Sequence, residues 1–182
     1  QKPARYIGGE VNTIHKDLSS IDTHFCFFFP DVYDVGMCHL GLQLLYHEIN
    51  RYEGVYCERS FAPWPDMEEA MRKHQIPLYS LETFTPLKEF DFVGFTLQYE
   101  MSYTNILNML DLAGIPLYSH ERTDDDPLVI AGGPNAYNPE PLADFIDLFY
   151  MGEGEVEYEH LFKEYAAHKK SGKSRREFLK LA

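Results

Sequence analysis

Short runs of apolar residues alternate along this chain with longer stretches in which apolar positions recur every three or four residues. The first run, Phe25-Cys26-Phe27-Phe28-Phe29, is continuous and aromatic, as in a strand buried on both faces, and Pro30-Asp31 is expected to stop it. A loop then runs to Gly36. Leu40, Leu44, Leu45 and Ile49 fall at helical spacing, which predicts a helix from Cys38 to about Arg51 with Gly54 beyond its end. Residues 55–59 read as the next strand. Pro63-Trp64-Pro65 breaks the chain, and Asp66 is expected to cap a helix through Met67, Ala70 and Met71. After a short extended piece at 76–80, residues 90–97 form a strong central strand. A helix opening at Ser102 or Tyr103 runs through Ile106, Leu107, Leu110 and Leu112 to Gly114. Residues 115–118 are extended and 121–126 a polar turn. A buried strand covers 128–131, a short helix 139–145 and a last strand 148–151. A long helix covers about 156–169, and a second short helix is expected to end the chain.

Strands alternating with helices predict an open, mostly parallel α/β sheet of the Rossmann-like kind, with helices on both faces. The 182 residues suit one domain, read here as 1–170, with the basic stretch 171–182 as a linker. With 45% apolar and 15% aromatic residues, the chain is long and greasy enough to bury a core without disulfides. Cys26, Cys38 and Cys57 have no C-x-x-C spacing and are expected to be reduced thiols in a cytoplasmic protein, packed as small hydrophobes. No apolar run approaches the ~20 residues of a membrane span, and no secretory signal is visible behind Arg5. A formal net charge of -13 argues against broad nucleic-acid binding and against an anionic membrane surface.

In such sheets ligands bind outside the carboxyl ends of the strands. Glycine, proline and polar residues gather at those ends in four loops. The first contains Asp31, Tyr33, Asp34, Gly36 and His39, and the second Thr96, Gln98, Tyr99 and Ser102. The third is Gly132-Gly133-Pro134-Asn135 and the fourth Gly152-Glu153-Gly154. These sixteen residues are the candidate cofactor-binding set, since glycine allows close backbone approach and the helix starts that follow present free N–H groups. Taken singly, each loop could equally be a tight turn. Tyr33, Trp64, Tyr99 and Tyr137 are candidate exposed aromatics, with core packing expected for two of the four. Sharper motifs fail. Gly152-Glu153-Gly154 lacks the third glycine of G-x-G-x-x-G, and Gly172-Lys173-Ser174 has Ala167 where a phosphate loop has its first glycine. There is no G-x-S-x-G and no H-E-x-x-H, and His39 and His47 alone do not make a zinc site.

Ala131-Gly132-Gly133-Pro134-Asn135-Ala136, then Pro139-Glu140-Pro141, then Gly152-Glu153-Gly154-Glu155 resembles the cobalamin-binding-like domain that precedes a radical S-adenosylmethionine (SAM) barrel. Phe29-Pro30-Asp31 through His39-Leu40-Gly41-Leu42 is similar to that family's first crossover, and residues 3–10 resemble an uncharacterised branch of it. The resemblance implies cobalamin over the strand ends, and a [4Fe-4S] cluster and SAM held by a barrel of the same parent chain. Two departures stand beside it. The C-x-x-x-C-x-x-C run that holds such a cluster is absent. The cobalt-ligating D-x-H-x-x-G is also absent: Asp22-Thr23-His24 is followed by Phe27 where Gly is required, and His39 has Met37 in place of Asp. Three readings stay open. One is a cobalamin-holding or entrance-shaping module of a radical SAM enzyme. The second is a cofactor-free scaffold that docks a partner. The third is an independent flavin or nucleotide binder.

Overall fold

The structure, a computed structural model, describes residues 2–152 and 154–181. Five strands, β1 (Thr23–Val32), β2 (Val55–Ala62), β3 (Phe92–Thr96), β4 (Leu128–Gly132) and β5 (Leu148–Phe149), form one sheet in the order β2-β1-β3-β4-β5. Every pairing is parallel. The chain leaves β1 for β2 on one side and returns to place β3 on the other. The topological switch point therefore lies between β1 and β3, as in doubly wound flavodoxin-like sheets. The predicted α/β class and parallel sheet are what the chain forms.

The aromatic run on β1 works by its period of two. Phe25, Phe27 and Phe29 face one side with Phe92, Leu128 and Ile130. That side is covered by α2 (Leu40–Ile49), α5 (Gly154–Lys170) and α6 (Arg175–Phe178). Cys26 and Phe28 face the other side with Val93, Phe95, Val129 and Ala131, under α4 (Tyr103–Leu112) and Met71 of α3 (Pro65–His74). A sheet covered on both faces needs apolar residues at consecutive positions, which is why β1, β3 and β4 read as unbroken hydrophobic runs. The outer edge of β2 is not left open. Leu81 N donates to Arg59 O at 2.8 Å and Arg59 N to Glu82 Oε2 at 2.8 Å, so the segment after α3 occupies the hydrogen-bonding edge. The Arg59 guanidinium, fully buried, pairs with Glu82 at 2.7 Å and lies 4.0 Å over the Tyr46 ring.

Several expectations are corrected. Pro30 does not stop β1, which continues to Val32 with a register irregularity between Phe29 and Val32. A proline, lacking an N–H, is tolerated at such an irregularity. The loop to Gly36 contains a helical turn, α1 (Tyr33–Gly36). On α2 the buried face is Leu42, Tyr46 and Ile49, and Leu40 and Leu44 are exposed. Trp64, not Asp66, holds the N-cap position of α3, with Pro65 opening the helix and Asp66 in the first turn. The helix expected at 139–145 is one 3-10 turn, Glu140–Leu142, and the last strand is two residues long. Within 171–181 the short helix expected at the end of the chain is α6, whose Phe178 is buried against Phe92, Tyr165 and His168. Arg175 beside it pairs with the buried Asp147.

Candidate functional site

At the carboxyl ends of β1, β3 and β4, next to the switch point, lies a cleft of about 210 Å³. Its walls are Phe27, Leu42, Leu45, Tyr150 and Tyr158, with the Phe95 ring turned to the other side of the sheet against Phe28, and its polar lip is His39, Thr96 and Gln98, with Gly132, Gly133 and Gly152 supplying bare backbone. Strand register builds it. Thr96 pairs with Gly132, so a polar side chain on β3 stands beside a position on β4 that has none. Leu97 N donates to Gly132 O at 2.7 Å and Asn135 N donates to Leu97 O at 3.0 Å, which ties the loops after β3 and β4 together. Gly133 sits at φ 99°, and a Cβ there would come within 3.1 Å of Leu97 O, so this loop can close only with glycine.

The lip is ordered by its own hydrogen bonds. Gln98 Nε2 donates to Thr96 Oγ1 at 2.7 Å. His39 is the N-cap of α2, and its Nδ1 accepts from Leu42 N at 3.1 Å. Sequence reasoning placed His39 in the first loop but missed this role, although a residue just before a helical run is where a cap belongs.

Six of the sixteen candidate residues line the cleft: His39, Thr96, Gln98, Gly132, Gly133 and Gly152. The others in the described chain are engaged around it. Tyr33 donates its hydroxyl to Glu10 Oε1 at 2.5 Å, and burial together with that carboxylate pushes the phenol up to about 12. The Arg5 guanidinium, 2.7 Å from Asp34, holds the Asp34 carboxyl below its usual range. Asp31 Oδ1 accepts from Val32 N at 2.7 Å, and its Oδ2 lies 3.4 Å from the Tyr99 hydroxyl. Ser102 Oγ donates to Tyr99 O at 2.8 Å. Gly36 is a packing glycine: a Cβ there would fall 2.2 Å from the Phe61 ring. Pro134 is exposed and opens a 3-10 turn, and the Asn135 side-chain nitrogen is buried with no protein partner. Gly154 begins α5, and Glu153 lies outside the described residues.

The walls were not singled out from sequence. Phe27 looked like an ordinary core residue, and only the folded chain brings it to the cleft with Tyr150 and Tyr158. Of the four candidate aromatics, Trp64, Tyr99 and Tyr137 are exposed and Tyr33 is half-buried. Cys26 and Cys57 are buried and Cys38 is exposed. Burial raises the Cys26 and Cys57 thiols well above the usual range. His24 stands near the start of β1, away from the strand ends. Its Nε2 is 2.6 Å from Glu58 Oε1 and its ring stacks 3.8 Å from Phe90, which makes it a packing residue.

The cleft by itself does not enclose a corrin, and it offers cobalt no ligand. A site that encloses a drug-sized ligand spans about 300–1,000 Å³, and this cleft, at about 210 Å³, is smaller than that. His39 offers no lone pair either, since a ring nitrogen that accepts a backbone N–H leaves the imidazole hydrogen on the other nitrogen. Nor do the cysteines fit an iron–sulfur cluster, because two are buried in the core and only Cys38 faces out.

Among the described residues no group of three or more His, Cys, Asp or Glu is placed to hold a metal ion, and no helix is long and apolar enough to cross a membrane. The sequence matches a family model described as radical SAM proteins, N-terminal, over residues 41–182. It is also similar to an uncharacterized protein of Methanocaldococcus jannaschii, 26% identical over 127 residues. That alignment covers 69% of this chain and 22% of the relative, so the chain spans about a fifth of that protein's length. With the family model matching from the start of α2 through α6, the chain belongs to the family of N-terminal domains of radical SAM proteins.

Proposed function

We propose that this domain serves a radical SAM enzyme by docking its strand-end face on the radical SAM domain of the same chain, with the cleft at the junction as part of the substrate entrance. One observation carries the reading. Leu40, Leu44, Tyr99, Met101, Tyr137 and Met151 are all exposed, all lie in segments that follow the carboxyl ends of strands, and each is close in the chain to a residue that lines the cleft. Scattered exposed apolar residues need no explanation, but a rim of them around a concave site marks an interaction surface. The [4Fe-4S] cluster and SAM belong to the radical SAM domain on this reading. This domain contributes shape, exclusion of water and hydrogen-bonding groups at the mouth.

Hydrogen exchange on the intact protein tests it. The wild type is compared with a Leu44→Glu, Met101→Glu double variant, whose charges are costly to bury against an apolar partner. The expected result is faster exchange in segments 38–45 and 97–103 of the variant, with the central strands unchanged. Equal exchange in the two proteins would mean that the rim faces solvent and that the docking assignment is wrong. Titration of the same intact protein with hydroxocobalamin is expected to give no saturable spectral change, and a tight one would restore the cobalamin reading.

A further inference from the structure

The entrance reading says where the cleft sits but not what enters it; the lining groups carry that further, resting on the same site. We propose that the cleft receives one planar heteroaromatic ring system whose edge carries hydrogen-bond acceptors.

Size sets the first limit. At about 210 Å³ the cleft has room for a ring system but not for a dinucleotide or a macrocycle. The walls set the second. Phe27 stands on the sheet, and Tyr150 and Tyr158 stand together at the side with ring centroids 4.9 Å apart. Flat aromatic walls gain most from a flat partner, in offset or edge-to-face contact. Gly132, Gly133 and Gly152 have no side chains to bar its approach over the backbone.

The lip sets the third limit, and it is one of polarity. Because His39 Nδ1 accepts from Leu42 N, the imidazole hydrogen sits on Nε2, and the free edge of the ring is a donor. Because Thr96 Oγ1 accepts from Gln98 Nε2, the hydroxyl has its own hydrogen left to donate. Both side chains line the cleft. Two donors fixed by bonds made elsewhere favour a ring edge with acceptor atoms. They disfavour an edge of the same shape that offers only N–H, because a donor facing a donor leaves both unpaired.

The test uses an isosteric pair, 7-azaindole and indole, which differ by one acceptor nitrogen. Binding to the intact protein is read by ligand-observed NMR with titration. 7-Azaindole is expected to bind about tenfold more tightly than indole, the effect of roughly one net hydrogen bond. Thr96→Val removes the hydroxyl at constant shape. His39→Asn keeps a side-chain acceptor for the start of α2 but withdraws the Nε2 donor. Each substitution should reduce the preference, and the two together should bring it near parity, with no loss of the folded circular dichroism spectrum. Equal affinity of the two rings in the wild type would overturn the proposal, as would binding of neither. A preference that survives both substitutions would place the ring elsewhere in the protein and overturn it too. The outcome is separable from the docking test: an exposed rim with selective ring binding removes the docking reading alone, and a covered rim with no ring binding removes this one alone.

Discussion

Among single residues, the same type does different work at different places, and only contacts separate the cases. Gly36 and Gly133 both sit in candidate ligand loops. Gly133 adopts φ 99° beside the cleft, whereas Gly36 is helical and buried under Phe61. A methyl at Gly36 has nowhere to go, with ring atoms of Phe61 at 2.2 Å and of Phe29 at 2.9 Å from its Cβ position. Gly36→Ala should therefore cost about 1–3 kcal/mol, as overpacking does, and denaturant unfolding would measure it. A Phe61→Leu change in the same chain should return part of that loss. If Gly36→Ala left stability unchanged but altered ring binding, the residue would belong to the site after all. The composition of the first loop predicted the presence of glycine, but not that an aromatic on β2 would fill the space it leaves.

At the level of elements, patterning located nearly every strand and helix, and errors fell at boundaries and faces. On α2 the spacing of Leu40 and Leu44 was as good as that of Leu42 and Tyr46. Which stripe is buried depends on how the helix is rolled over β1 and β2. The roll turns Leu40 and Leu44 outward beside the cleft. The short helix α6 illustrates a local signal that is complete in the sequence. Ser174 and Glu177 form a reciprocal capping box: Ser174 Oγ accepts from Glu177 N and Glu177 Oε2 accepts from Ser174 N at 2.9 Å. The backbone and side-chain hydrogen bonds from Ser174 hold the Glu177 carboxyl below its usual 4.5. A depressed acid stabilises the fold above its unfolded value and ceases to do so as the pH falls through the folded one. The α6 cap should therefore be intact above about pH 4.5 and open as the solution is acidified below that value. The Ser174 amide shift, followed by NMR against pH, reads this directly, and Glu177→Gln should remove the acid transition while keeping much of the cap. A Ser174 amide that titrates with a midpoint above the ordinary glutamate value would contradict the sign.

The whole molecule joins parts that are far apart in the chain. Segment 171–181 looks like a polar connection because Phe178 is isolated among basic residues, yet Phe178 is 2% exposed and packs on Phe92 of the central strand. Asp147, at the foot of β5, accepts from Val129 N, Ser119, Arg122 and Arg175, so α6 and the loop before β4 meet on one buried carboxylate. Phe178→Ala should destabilise the domain by about 3–5 kcal/mol, the range for truncating a buried aromatic. A chain ended at residue 170 should be destabilised at least as much, since it loses Arg175 as well. Unfolding curves that overlay the wild type would return this segment to the status of a linker. The cleft lies at the opposite end of the sheet from this anchor.

Periods are local, and so the sequence by itself determined the parallel α/β class: runs of Phe, Val and Ile sized for buried strands, helices at period 3.6, and glycine-rich turns at the strand ends. It also named six residues of the cleft, because polar and glycine residues at strand ends are local signals too. Only the tertiary structure decided which of those loops converge. Strand order places β1 beside β3, and register sets Thr96 opposite Gly132, neither of which any local pattern encodes. The polarity of the lip follows from the same source, since the hydrogen positions on His39 and Thr96 are fixed by partners that folding brings to them.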